Sequence, residues 1–226
     1  MFEELIQELL LAQKIGTGLA ASLARYGALV LTENRSFNLT GAATPVEIVA
    51  HIMDALSVAP FLGDPHIDVG SGAGFPAIPA ALGTGIEIAL VESSRKKAAF
   101  LSRVIGELGV RGTVVHARAE RAAHDPAFRE HFASATARAV SSAPAVAELT
   151  VPFVRIGGVA VLQRGRTAEH ERQALAGASH MLGAGVPEIR AVEGHNVIFF
   201  LHKKQATHRR FPRRDGVPQK RPLCFT

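Results

Sequence analysis

The sequence predicts an α/β fold: a mostly parallel, Rossmann-like sheet of seven strands, carrying a helical extension at its N-terminal end. Three observations carry this. From residue 66 onward, short apolar runs alternate with helical stretches. A glycine-rich loop follows the first of those runs, in "HIDVGSGAGFPAIPAAL" at 66–82. The alternation then closes in two strand-like runs around a tight turn. Strand–helix alternation implies parallel pairing with right-handed crossovers. A closing hairpin adds one antiparallel edge pair.

In chain order, residues 3–14 place Leu5, Ile6, Leu9 and Leu10 on one helical face, and a second helix is expected over 17–32. A third, "TPVEIVAHIMDALSVAPFL", opens with Thr44 as cap, Pro45 at the first helical position and Glu47 at capping-box spacing. Strands are expected at 66–69, 86–91, 112–117, 134–139 and 158–163. Helices are expected at about 75–82, 94–108, 144–154 and 167–182. "VPEIRAVE" and "HNVIFFLHKK", joined at Gly194, make the hairpin. The expected division is a helical extension over 1–62, a core over 63–204 and a basic, Pro/Arg-rich tail over 205–226.

At 47% hydrophobic residues, a chain of 226 holds ample material for one core. Charge and proline break every apolar stretch short of the ~20 residues a membrane span needs. "MFEELIQELLLAQK" carries acids where a secretion signal needs positive charge. The single cysteine, Cys224, excludes an internal disulfide. A cytoplasmic protein, monomeric and without membrane contact, is expected. Of 25 basic and 20 acidic residues, 202–226 hold eight and one, which leaves 17 and 19 for the rest. The excess positive charge belongs to the tail. Clustered Lys and Arg beside proline fit a phosphate-binding arm over 203–221. A solvated end fits the same composition, and so does a segment packed on the body through Phe211, Pro212, Pro218 and Pro222.

The glycines narrow the ligand. A dinucleotide fingerprint needs G-x-G-x-x-G. Gly70 and Gly72 supply its first half, but Phe75 stands where the third glycine belongs. "DVGSGAG" instead fits the D-x-G-x-G-x-G loop of S-adenosylmethionine enzymes, with Gly70, Gly72 and Gly74 letting a ligand approach the backbone. That ligand has no pyrophosphate, so prolines at the helix start are harmless. Asp68, at the strand's carboxyl end, is placed to balance an ammonium group. Glu92, at the end of the second strand, is placed to accept hydrogen bonds from ribose hydroxyls. Ser93 and Ser94 can add hydroxyl contacts and cap the next helix. Ala119, in "HARAE", leaves room for a flat base beside Glu120, and Arg138 ends the fourth strand on the same edge. The fold class is therefore that of class I S-adenosylmethionine-dependent methyltransferases.

Several ordered motifs then resemble one family. "NLTG" at 38–41, "HIMDAL" at 51–56, "IDVGSGAGFPAIP", "SSRKKAAFL", "ARAE", "TARAVSS" and "FPRRDGVPQKRPL" are similar to the bacterial small-subunit ribosomal RNA guanine-N7 methyltransferases, the RsmG (formerly GidB) family. The resemblance covers nearly the whole chain. It implies methyl transfer from S-adenosyl-L-methionine, leaving S-adenosyl-L-homocysteine, to N7 of a guanine in a decoding-region loop of 16S ribosomal RNA, free or in the small subunit. It carries cofactor contacts onto Gly70, Phe75, Glu92 with Ser93 and Ser94, Ala119 with Glu120, and Arg138. The family often has Lys where Gln163 stands, and Arg164 is the neighbouring candidate for that charge.

Guanine N7 carries a lone pair and no proton, so no general base is expected. Asn38, His51, Asp54 and Arg138 are the candidates for positioning the acceptor. His51 and Asp54 lie three apart on one helix face, where bonding to each other is the competing role. Competing functions are a class I methyltransferase of another RNA, a protein or a small molecule, and a non-catalytic RNA-binding assembly protein. No metal site is expected.

Overall fold

The computed structural model describes residues 2–138, 141–164, 171–192 and 196–224. The sheet runs in the order β3-β2-β1-β4-β5-β7-β6. Its strands are β1 (His66–Val69), β2 (Ile88–Glu92), β3 (Gly112–His116), β4 (Phe132–Arg138), β5 (Val154–Arg164), β6 (Glu188–Val192) and β7 (Asn196–His202). The first five pair in parallel, and β7 lies antiparallel to both β5 and β6. Strand order reverses between β1 and β4, and a crevice opens outside their carboxyl ends at such a point. The expected hairpin turn at Gly194 lies outside the described residues.

β2 shows how the sheet divides the core. Ile88 and Leu90 pack among the helices of one face, and Ala89 and Val91 face the other. The first face is covered by α1 (Phe2–Ala12), α2 (Thr17–Asn34), α3 (Pro45–Val58), α4 (Ala77–Thr84) and α5 (Arg95–Glu107). The first three helices thus share a core with the sheet. A Cβ on Gly27 would sit 2.7 Å from Ile48 Cγ2, so glycine sets the close approach of α2 to α3. α3 starts as its sequence predicts: the Thr44 hydroxyl accepts the Glu47 amide at 3.3 Å, and Glu47 Oε2 accepts the Thr44 amide at 3.0 Å. Such a cap is worth about 1 kcal/mol.

The second face carries α6 (Ala119–Ala122), α7 (Ala143–Thr150), α8 (Arg172–Met181) and the C-terminal segment with α9 (Val217–Lys220). The first part of the helix expected over 167–182 falls outside the described residues. β5 begins at Val154 rather than at residue 158. The strand continues through Gly157 and Gly158: the Gly157 amide donates to Lys203 O and the Lys203 amide to Gly158 O. A Cβ on Gly158 would meet Ala133 O at 2.5 Å, so close strand approach is what that glycine serves.

The tail corrects the arm expected over 203–221. Phe211 and Leu223 are buried in the sheet's second-face core. Pro212 and Pro218 are buried too, and Pro222 is half-buried. Lys203 is 1% exposed. Its Nζ donates to Val151 O, Val154 O and Thr207 Oγ1 and pairs with Glu130 at 2.9 Å. Arg213 grips the fully buried Glu148 through Nε at 2.9 Å and Nη2 at 2.6 Å. Two of the eight tail cations therefore hold the fold and are not available to a ligand. The packed-segment reading is the one the geometry matches. No helix among the described residues is long and apolar enough to cross a membrane.

Candidate active site

Two cavities meet at the carboxyl edge of the sheet. The first, of about 140 Å³, lies over Val69, Val91 and Ala137, walled by Ala119, Val146 and Leu149, with Ser93, Glu120 and Gln219 at its polar margin. The second, of about 390 Å³, lies between Leu39–Gly41, the glycine loop, His51 and Phe75. Gly70 and Arg138 line both. The arrangement is an apolar slot opening into a wider, more polar chamber.

The glycines divide by role. Gly70 (φ 71°) and Gly72 (φ 56°) occupy left-handed backbone, and a Cβ on either would point into nearly open space. A Cβ on Gly74 (φ 104°) would instead strike Ile78 Cδ1 at 2.4 Å. Gly70 and Gly72 thus front the cleft, whereas Gly74 lets α4 and α5 close on the loop. Glu92, 7% exposed, steadies the loop from β2: its carboxylate accepts the Gly72 amide at 2.9 Å and the Ser94 amide at 2.7 Å. The Ser93 hydroxyl adds a long third bond to Oε1 at 3.5 Å, so Oε2 is the oxygen that retains a further lone pair. Ser93 lines the slot, while Ser94 caps α5 by position with no side-chain bond.

Asp68 sits at the end of β1, 1% exposed. Oδ1 accepts the Thr136 hydroxyl at 2.6 Å, and Oδ2 is buried without a partner. Burial pushes its pKa up to about 6, against the pull of its hydroxyl partners and Arg138. Behind it, Thr136 meets His66 Nε2 at 2.9 Å, and His66 Nδ1 meets Ser134 Oγ at 2.7 Å. Burial lowers the His66 pKa to about 3, so the ring is neutral.

Arg138 organises the chamber wall. Its Nη2 donates to His51 Nδ1 at 3.1 Å, Nη1 lies 3.6 Å from Asp54 Oδ2, and the guanidinium stands 5.6 Å from the Phe75 ring centre. Arginine only donates, so His51 Nδ1 accepts and the ring proton sits on Nε2. Burial and then Arg138 hold the His51 pKa below its ordinary value. Gln163, paired with Arg138 across β4 and β5, donates to Asp54 at 3.3 Å. His51 and Arg138 line the chamber, whereas Asp54 stands outside the lining of both cavities. Arg164 is engaged with Glu171 and Ser141 O, so it does not supply the charge absent at Gln163. Asn38 is exposed and lines neither cavity. Glu120 is 3% exposed, holding Arg118 and the Gly216 amide.

Three supports escaped the sequence reading. Tyr26, fully buried, donates to Ala73 O at 2.9 Å beneath the loop and meets Phe75 edge-on at 5.2 Å. Asn34 accepts the Leu39 and Thr40 amides and donates to Ala42 O, pinning residues 38–42. Thr136 is the third. An asparagine beside a helix end was a usable signal for Asn34. No local pattern marks Tyr26, and Thr136 opens the TARAVSS motif without anything there to give it this role.

Residues 19–198 match the family model described as rRNA small subunit methyltransferase G. The chain is 39% identical to a Ribosomal RNA small subunit methyltransferase G of Rubrobacter xylanophilus, over 89% of this chain and 83% of that one. It is 35% identical to the protein of that name from Deinococcus deserti, over 97% of each. Among solved structures, an O-methyltransferase from Bacillus cereus in complex with SAH superposes with TM-score 0.56 at 17% identity, over 79% of this chain and 91% of that one. The 16S rRNA N2 G1207 methyltransferase of T. Thermophilus, in complex with AdoMet and guanosine, gives TM-score 0.50 at 20% identity, over 70% and 40%. These two speak to the fold.

Proposed function

Because the chain belongs to the rRNA small subunit methyltransferase G family, and is thereby an S-adenosylmethionine-dependent rRNA methyltransferase, we propose that its acceptor is N7 of a guanine in the decoding-region loop of 16S RNA. It acts on that RNA, free or in the small subunit, as a cytoplasmic monomer. The observation that carries the reading is the pair of cavities meeting at Gly70 and Arg138, one sized for a flat base, the other open to an acceptor.

The residues present fit the methyl donor. Asp68 Oδ2 is an orphaned buried acceptor, and the Cβ positions of Gly70 and Gly72 are open space. When bound, S-adenosylmethionine supplies an electrophilic sulfonium methyl. Asp68 would balance its ammonium group, and Glu92 Oε2 would accept from a ribose hydroxyl. Ala119 and Val146, with Ser93 and Glu120, line the slot that would hold its adenine. Phe75 and Arg138 close the chamber side.

The acceptor needs no base, since N7 has no proton to lose. His51 is neutral and held with its proton on Nε2, which suits it to orient the guanine rather than to deprotonate it. Gln163 steadies Asp54, Asp54 pairs with Arg138, and Arg138 holds His51. Holding acceptor and methyl in line is worth several kcal/mol in general. RNA modification of this kind takes an unstacked base from a loop.

The test is to incubate the full chain with small-subunit RNA and labelled methyl donor, digest to nucleosides and map the label. We expect 7-methylguanosine at one position. A product methylated at N1 or N2 would overturn the N7 assignment, since those nitrogens carry protons that require a base.

A further inference from the structure

The C-terminal segment leaves a second concavity, of about 910 Å³, between itself and α6. Glu120 lines both this groove and the base-sized slot, so the two are adjacent. The groove's cations divide in two. Arg213 is committed to Glu148, and Arg121 pairs with Asp215 at 2.7 Å. Arg209, Arg210 and Arg214 are exposed and have no acidic partner among the described residues. His124 sits with them, its Nε2 against Pro212 O at 2.8 Å.

The groove is preformed. Arg129 donates to Ala123, Thr207 and Phe211 carbonyls, Glu120 accepts the Gly216 amide, and Arg213 donates to Arg221 O. Its walls are thus fixed by internal bonds while three guanidinium groups have no acid partner among the described residues, that of Arg210 resting over the Phe211 ring at 4.7 Å. Guanidinium groups without acid partners, carried on a fixed backbone, suit phosphate oxygens, which they can grip with paired N–H donors. The rest of the chain is slightly acidic, so an RNA strand gains affinity here and little elsewhere.

We propose that this groove binds backbone phosphates of the RNA flanking the acceptor guanine, with Arg209, Arg210 and Arg214 as the contacts. The inference rests on the RNA-methyltransferase reading. It assigns those contacts to three residues and removes Lys203 and Arg213 from the role.

Binding of the full chain to an RNA hairpin with a guanine-containing loop, followed by fluorescence anisotropy at several salt concentrations, tests it. Each phosphate neutralised contributes about 0.7 to the salt slope for a single strand. The triple variant Arg209→Ala/Arg210→Ala/Arg214→Ala should lose about 2 in slope and bind RNA at least tenfold more weakly at low salt. Its affinity for S-adenosylhomocysteine and its melting temperature should match the wild type. The double variant Arg111→Ala/Arg155→Ala, at the amino ends of β3 and β5, should keep the wild-type slope. Equal slopes for wild type and triple variant, with wild type binding RNA, overturn the groove and leave the methyltransferase reading standing. A wild type that binds no RNA overturns both.

Discussion

Asp68 is where local chemistry and the proposed ligand meet most directly. Its carboxyl, at about 6 instead of 3.8, favours the protonated form in the folded chain. That contribution to stability is fully present below 3.8 and is lost as pH rises through about 6. An ammonium group beside Oδ2 requires the charged form, so cofactor affinity should rise with pH up to about 7 and then level off. Below pH 6 it should fall by up to about tenfold per unit, and Asp68→Asn should flatten the profile. Calorimetry with S-adenosylhomocysteine from pH 5 to 8 checks this, and a flat wild-type profile rules Asp68 out as the ammonium partner. The glycines give a second contrast. Gly72→Ala should lose cofactor affinity at a stability cost of about 1–2 kcal/mol for its left-handed backbone. Gly74→Ala should lose stability by more, because its Cβ meets Ile78 as well. Melting curves beside calorimetry separate the two, and a Gly74→Ala as stable as wild type would refute the packing role. Asp68, Glu92 and the glycines were legible because their chemistry lies in short spacings. The Gln163–Asp54 bond joins residues 109 apart in sequence, and no spacing foretells it.

Among the elements, α3 announces itself by its cap, and β1, β2 and β4 by apolar runs that the sheet buries, while β3, at the edge, stays half-buried. β5 starts four residues before the expected strand, at Val154, because the exposed stretch Arg155–Gly157 carries no apolar alternation to mark it. The loop at 38–42 is the clearest case of hidden support. Its motif is plain in sequence, but its shape comes from Asn34, on the helix before it. Asn34→Ala removes three hydrogen bonds at once and leaves partly buried amides unpaired, at a cost of about 1–3 kcal/mol. Methyl transfer should fall while cofactor affinity stays near wild type, since the loop lines the chamber and not the slot. Steady-state rates beside cofactor calorimetry check this; an unchanged rate would mean the loop has no part in seating the acceptor.

Across the whole molecule, the two ends of the chain are part of the fold. Helices α1–α3 complete the core on one face, and residues 207–223 complete it on the other. Composition described the C-terminal segment as a basic tail because it counts charges and not their partners. Glu148 is fully buried and its cation, Arg213, is partly exposed, so Glu148→Ala removes the bonds to the Arg213 amide and guanidinium but leaves that cation able to reach water, and should cost about 1–3 kcal/mol. Urea unfolding measures it, and a loss under 1 kcal/mol would mean the segment is only loosely held. Deleting residues 205–226 should be at least as damaging, which is why point substitutions are the cleaner probe of RNA contact.

The line Ser134–His66–Thr136–Asp68 has one further implication, which is a matter of counting hydrogens. Ser134 owns one hydroxyl hydrogen, yet both His66 Nδ1 and Gly63 O lie within reach of it. With Asp68 charged, Thr136 gives its hydrogen to Asp68, His66 gives its own from Nε2 to Thr136, and Ser134 must turn to Nδ1, leaving Gly63 O without it. With Asp68 protonated on Oδ1, every link reverses: the imidazole hydrogen moves to Nδ1 and Ser134 turns to Gly63. Near pH 6 both directions coexist. A charge gained or neutralised at the carboxyl end of β1 is thereby written into the tautomer of a buried ring and the bonding of the chain before the strand begins, a reversal that imidazole nitrogen chemical shifts would display.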